Sequence, residues 1–84
     1  MLVDLVERCG VQAVGHETTD TDPGSHTVAG DYGLELYLLE HDLWQIEMLT
    51  NLDQVPEAGA LVVASWPKPR GGSGFPARVF AIHP

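Results

Sequence analysis

Oxygen and nitrogen donors crowd one stretch of this chain: His16, Glu17, Asp20, Asp22 and His26, with Glu35, His41 and Glu47 further along. These are the side chains that divalent metals take as ligands. Taken singly, Asp20, Asp22 and Ser25 also read as turn-closing side chains of a solvated loop, and a lone histidine in a loop reads as solvated. Glu47 is a different case because it interrupts the apolar run Trp44-Gln45-Ile46-Glu47-Met48-Leu49. An ionised carboxylate there costs free energy unless it is paired or holds a metal. Strand alternation would put Gln45 and Glu47 on one face, so a polar, solvent-facing edge accounts for it equally well. On the residues alone both readings stand.

Other chemistries can be set aside on spacing. Asp20, Asp22 and Gly24 resemble the start of a calcium loop, but Ser25 stands where the sharp-turn glycine belongs and Asp31 where a bidentate glutamate belongs. Gly71-Gly72-Ser73-Gly74 lacks the Lys-Ser/Thr pair of a phosphate loop and precedes no helical pattern, so it reads as a flexible hairpin connection. There is no Gly-x-Ser-x-Gly elbow. Cys9, the single cysteine, closes an apolar helical face and is expected to be a small buried hydrophobe in a reducing compartment.

The elements that must position these donors follow from periodicity. Leu2, Leu5, Val6 and Cys9 recur at helical steps, and Gly10 can end that helix in a left-handed conformation. Val11, Ala13 and Val14 read as a buried strand, and His16–Gly30 as a long loop. Asp31 caps a second helix reaching about His41, with Leu34, Tyr37, Leu38 and His41 at helical spacing. Trp44–Leu49 reads as a strand, Asn51–Gln54 as a turn, Leu61–Trp66 as the clearest strand and Arg78–Ile82 as its antiparallel partner across the loop Lys68–Pro76. The expected architecture is α/β, with about four strands and two short helices in a single partial domain.

At 84 residues the chain can build one small core at most. Hydrophobic residues at 44% exclude wholesale disorder. Twelve acidic against four basic side chains give a charge of -8, which repels phosphate backbones and anionic lipid, so neither nucleic acid nor a membrane surface is an expected partner. The charge is segregated: every Asp and Glu lies between Asp4 and Glu57, and Lys68, Arg70 and Arg78 follow. No apolar run has the length of a membrane span and no signal-peptide layout opens the chain, so a cytoplasmic location is expected. The first helix has no capping residue before Leu2, and the small sheet would leave unpaired edges; both suggest a truncated domain.

The order Val11-Gln12-Ala13-Val14-Gly15, an acidic loop, Glu47-Met48-Leu49-Thr50-Asn51-Leu52-Asp53, Trp66-Pro67-Lys68, then Gly71-Gly72-Ser73-Gly74-Phe75-Pro76-Ala77-Arg78 resembles the C-terminal half of cyclase-family hydrolases, the group that includes kynurenine formamidases. The pairing of Glu-x-Leu-x-Asn-Leu with Gly-Gly-x-Gly-x-Pro-x-Arg carries the resemblance, which covers nearly the whole chain. It implies a partial mixed β/β/α domain and a zinc or manganese cofactor that activates water against an amide or related acyl bond. It makes Glu47 a metal ligand and places Glu35 where relatives carry a second, histidine ligand. A carboxylate there would change the charge of the site and the acidity of its water.

The resemblance also puts Asp20 and Asp22 where side chains orient ligands, and it makes Asn51, Gly71, Gly72, Gly74, Pro76 and Arg78 motif residues of structural rather than chemical importance. Arg78 is expected in core packing or a subunit contact. The family's main metal-binding segment, His-x-Gly-Thr-His-x-Asp-x-Pro-x-His, is missing, so no catalytic residue is assigned within the chain and it is expected to be inactive alone. Its implied partners are a small amide or acyl substrate in the complete enzyme, a separate N-terminal half, or further copies of itself. The alternative is a non-catalytic binding or assembly module that kept the fold and lost the chemistry.

Overall fold

The computed structural model describes all residues, Met1–Pro84. The chain is mixed α/β and forms two compact units, Met1–Thr50 and Asn51–Pro84. In the first, α1 (Leu2–Cys9) ends at Gly10, whose φ of 67° is the left-handed conformation that glycine adopts without a Cβ penalty. The chain then enters β1 (Ala13–Gly15), crosses over through α2 (Gly24–Val28) and α3 (Gly33–Glu40), and returns as β2 (Trp44–Ile46). β1 and β2 pair in parallel, with Ala13 opposite Trp44, Val14 opposite Gln45 and Gly15 opposite Ile46. A parallel pair requires such a crossover, and here two short helices supply it.

The core of this unit is small: Leu38 on α3 is fully buried and Leu43, just before β2, nearly so. Leu38 is one of the residues whose helical spacing predicts the α3 face, whereas His41 on the same face is exposed. Two expectations are corrected here. Cys9 is exposed, because the face of α1 on which it falls is only half covered and the helix buries no residue fully. The stretch expected to be all loop contains α2, which starts after Pro23. The Pro23 carbonyl accepts hydrogen bonds from the backbone of His26 at 2.8 Å and Thr27 at 3.1 Å. Proline's fixed φ suits the start of a helix, so the residue that reads as a loop former also opens a helical turn.

In the second unit a single 3-10 turn (Leu52–Gln54) precedes β3 (Leu61–Ser65) and β4 (Arg78–Ile82), an antiparallel hairpin with Leu61 opposite Ile82 and Ser65 opposite Arg78. Asn51 opens the 3-10 turn at φ 61°, a left-handed backbone that asparagine tolerates better than most residues. Gly71 turns the connecting loop at φ 70°, and a Cβ on Gly72 would meet Pro69 Cγ at 2.4 Å, so this part of the glycine run is required by backbone geometry. Gly74 and Pro76 lie in the same loop, where Gly74 has open space around it. Arg78 is exposed at the start of β4, so within this unit it takes no part in core packing. The hairpin leaves Leu61, Val62, Phe80 and Ile82 exposed. Two strands have only each other's edges to pair with, and neither face gains a second layer within this unit.

Candidate metal centre

The loop between β1 and α2 is held in place by backbone bonds to β2 and its continuation. His16 N–H donates to the Ile46 carbonyl at 3.1 Å, Leu49 N–H to the His16 carbonyl at 2.9 Å, and Met48 N–H to the Thr18 carbonyl at 3.0 Å. Gly15 permits this approach, since a Cβ there would lie 2.8 Å from Leu49 Cδ1. Met48, at φ 57°, turns the chain out of the strand. β2 therefore stops at Ile46, short of the strand expected through Leu49, and Glu47 sits between the strand end and the bend at Met48.

Side chains complete the tether. Thr21 Oγ1 donates to Gln45 Oε1, and His16 Nε2 lies 2.9 Å from the same hydroxyl. On the other edge of the ring, His16 Nδ1 lies 3.0 Å from the Thr18 carbonyl, which only accepts, so Nδ1 is placed to donate there. Thr18 Oγ1 then stands 2.9 Å from His16 Nδ1 and also 2.9 Å from the Asp20 carbonyl, to which it can donate. His16 is thus an organiser of this loop rather than a solvated side chain.

Asp22 joins the loop to α3. It is only 5% exposed, and its two carboxylate oxygens accept hydrogen bonds from Leu34 N at 2.9 Å and Glu35 N at 3.0 Å. These are amide groups of the first helical turn that have no partner within the helix, and the positive end of the helix dipole favours the charge placed there. The expected cap, Asp31, accepts from Gly33 N at 3.1 Å, so α3 is capped by two aspartates, one of them distant in sequence. Glu35 is fixed further by Thr21 N, which donates to its Oε1 at 3.2 Å.

These constraints bring Asp20, Glu35 and Glu47 together: one carboxylate oxygen from each lies within 4.8 Å of the others. Asp20 and Glu35 are half-buried and Glu47 is exposed. That exposure fits the reading of Glu47 as a polar, solvent-facing position. Gln45 and Glu47 both reach the 16–22 loop, although the strand whose alternation would pair them ends between them. Of the donors singled out by residue type, Glu35 and Glu47 converge. Asp20, expected to orient ligands, joins them directly, and Asp22 organises α3 beneath them. His26 instead lies 3.7 Å from Asp31, and His41 Nδ1 lies 2.7 Å from the Tyr37 carbonyl.

Three carboxylates are hard oxygen donors, which fit manganese, magnesium or calcium better than zinc, whose sites favour nitrogen and sulfur. Like charges at this separation repel, and a divalent cation would reverse the sign of the local interaction. On the far side of α3, Tyr37 Oη donates to Glu7 at 3.3 Å. Burial holds the Tyr37 phenol above its ordinary pKa, and the Glu7 charge and hydrogen bond add to the shift. No helix of the chain is long and apolar enough to cross a membrane. The chain matches no protein-family model, no curated protein and no solved structure.

Proposed function

We propose that this chain supplies three carboxylate ligands, Asp20, Glu35 and Glu47, to the divalent-metal site of a hydrolase acting on an amide or related acyl bond. The observation that carries the proposal is the convergence of Glu35 and Glu47, which the cyclase-family resemblance pairs, with Asp20 as a third donor from a separate segment. When bound, the metal would polarise an acyl oxygen and increase the acidity of a coordinated water. The chain's own residues hold the donors. Asp22 fixes the first turn of α3 under Glu35, Thr21 N orients the Glu35 carboxylate, and the tether of His16, Thr21 and Gln45 keeps Asp20 opposite Glu47.

The donor set supports manganese over zinc as the cofactor, because replacing the family's histidine by Glu35 leaves no nitrogen ligand in the cluster. The chain alone binds the ion weakly and hydrolyses nothing, and activity requires a partner segment carrying the histidine-rich motif. A second reading, a non-catalytic assembly module, is favoured by the exposed Leu61, Val62, Phe80 and Ile82 of the hairpin.

Calorimetric titration with manganese separates the two. Glu47→Gln is expected to weaken binding about tenfold by removing one of three anionic ligands. Without metal the same change stabilises the fold, by a few tenths to about 1 kcal/mol, as repulsion among the carboxylates is relieved. Hydrolysis of N-formylkynurenine or a simple aryl amide should arise only when a histidine-motif half is added, and should be lost with Glu47→Gln. Manganese affinity unchanged by Glu47→Gln, together with no hydrolysis in the mixture, leaves the assembly module.

A further inference from the structure

α3 is occupied on three sides and open on the fourth. Tyr37 meets Glu7 of α1, Leu38 is buried in the small core beside β2, and Glu35 faces Thr21 of the loop. The remaining side carries Tyr32, Leu36 and Leu39, which are 47%, 56% and 62% exposed and recur at the four- and three-residue steps that align on a helix. An exposed apolar stripe on a helix whose other sides are occupied marks a surface that a partner can cover. The stripe runs for about 10 Å, two turns, the footprint of one crossing helix.

Charge decides what that helix is. The unit Met1–Thr50 has ten acidic side chains against one basic, Arg8, which is already 3.4 Å from Asp4. Around the stripe, Glu40 lies one helical turn after Leu36, while Asp31 and Asp42 flank the two ends of α3, and all three are exposed. His41 and His26 are the titratable nitrogens nearby, on the Tyr37 carbonyl and beside Asp31. A second copy of this unit would bring like charge against like charge.

We infer that the Tyr32, Leu36 and Leu39 face of α3 docks a cationic amphipathic helix of a partner protein, its apolar side on the leucines and its lysines or arginines over Glu40, Asp31 and Asp42. This surface does not depend on the carboxylate cluster.

The test uses the full chain and two synthetic helices of about 14 residues, a length that a helix induced on binding can reach, one with leucine and lysine faces and the other with leucine and glutamate faces. Fluorescence anisotropy should show the lysine peptide binding and the glutamate peptide not, with affinity falling as salt rises. Leu36→Gln with Leu39→Gln should weaken binding about tenfold or more, since both positions are central. Val62→Gln with Ile82→Gln, on the hairpin, should leave it unchanged. Glu40→Lys, a fully surface change, should lower affinity for the lysine peptide and raise it for the glutamate one. Equal binding of both peptides, or binding indifferent to the leucine pair, overturns the inference. So does self-association of the parent chain that the leucine pair abolishes, which would make a second copy the occupant.

Discussion

Replacing Asp22 by alanine should lower the stability of the Met1–Thr50 unit without unfolding it. The change removes both acceptors on the first turn of α3, the bonds from Leu34 N at 2.9 Å and Glu35 N at 3.0 Å. Losing a helix cap costs about 1 kcal/mol, and a hydrogen bond to a charged acceptor contributes about 1.5–3 kcal/mol. Because the two bonds share one carboxylate their losses do not add fully, and about 2–3 kcal/mol is expected. A unit of this size has a total stability of about 5 kcal/mol, so roughly half of it is lost. Asparagine keeps one carbonyl acceptor but turns an amide N–H toward a backbone donor, and should cost about 1 kcal/mol. Urea unfolding read by Trp44 fluorescence in a Trp66→Phe background reports on this unit, and the midpoints should fall in the order parent, Asp22→Asn, Asp22→Ala. An Asp22→Ala midpoint within the equivalent of about 0.5 kcal/mol of the parent would refute the capping argument, since that is the scatter of an ordinary surface substitution.

Two further outcomes test the packing around the site. Gly15→Ala would place a Cβ 2.8 Å from Leu49 Cδ1, the end of a movable side chain, so a loss of about 1 kcal/mol is expected in the same urea assay. Tyr37 should ionise above its ordinary pKa when phenolate absorbance is followed with pH, and Glu7→Gln should bring the value down part of the way, because burial is the first cause of the shift and Glu7 the second. The raised folded-state pKa means that the unfolded chain ionises first. Stability from this group is therefore complete below the unfolded value of 10.0 and declines as pH rises from there through the folded value.

The parts of this protein legible from sequence are those whose signal is local. Helical spacing with a terminating glycine marks α1, since Gly10 can take the left-handed backbone whatever lies nearby. Short apolar runs and the glycine-rich connection between them mark β3 and β4, whose antiparallel pairing needs only the adjacent segment. Residue type places Glu35 and Glu47 among the candidate donors, and the spacing of the two carries no signal of its own. What the tertiary structure alone decides depends on partners far along the chain. The parallel match of Ala13–Gly15 to Trp44–Ile46 sets which loop lies over which bend. Asp22 reads as a turn residue until the amides of Leu34 and Glu35 are brought to it. Asp20 reads as solvated until loop 16–22 is tied down, and the end of β2 at Ile46 follows from the turn at Met48, which no alternation pattern contains. Periodicity records which face of an element is apolar; which unpaired N–H or carboxylate meets it across the chain is a matter of long-range hydrogen bonding, and that information exists only once the segments are packed.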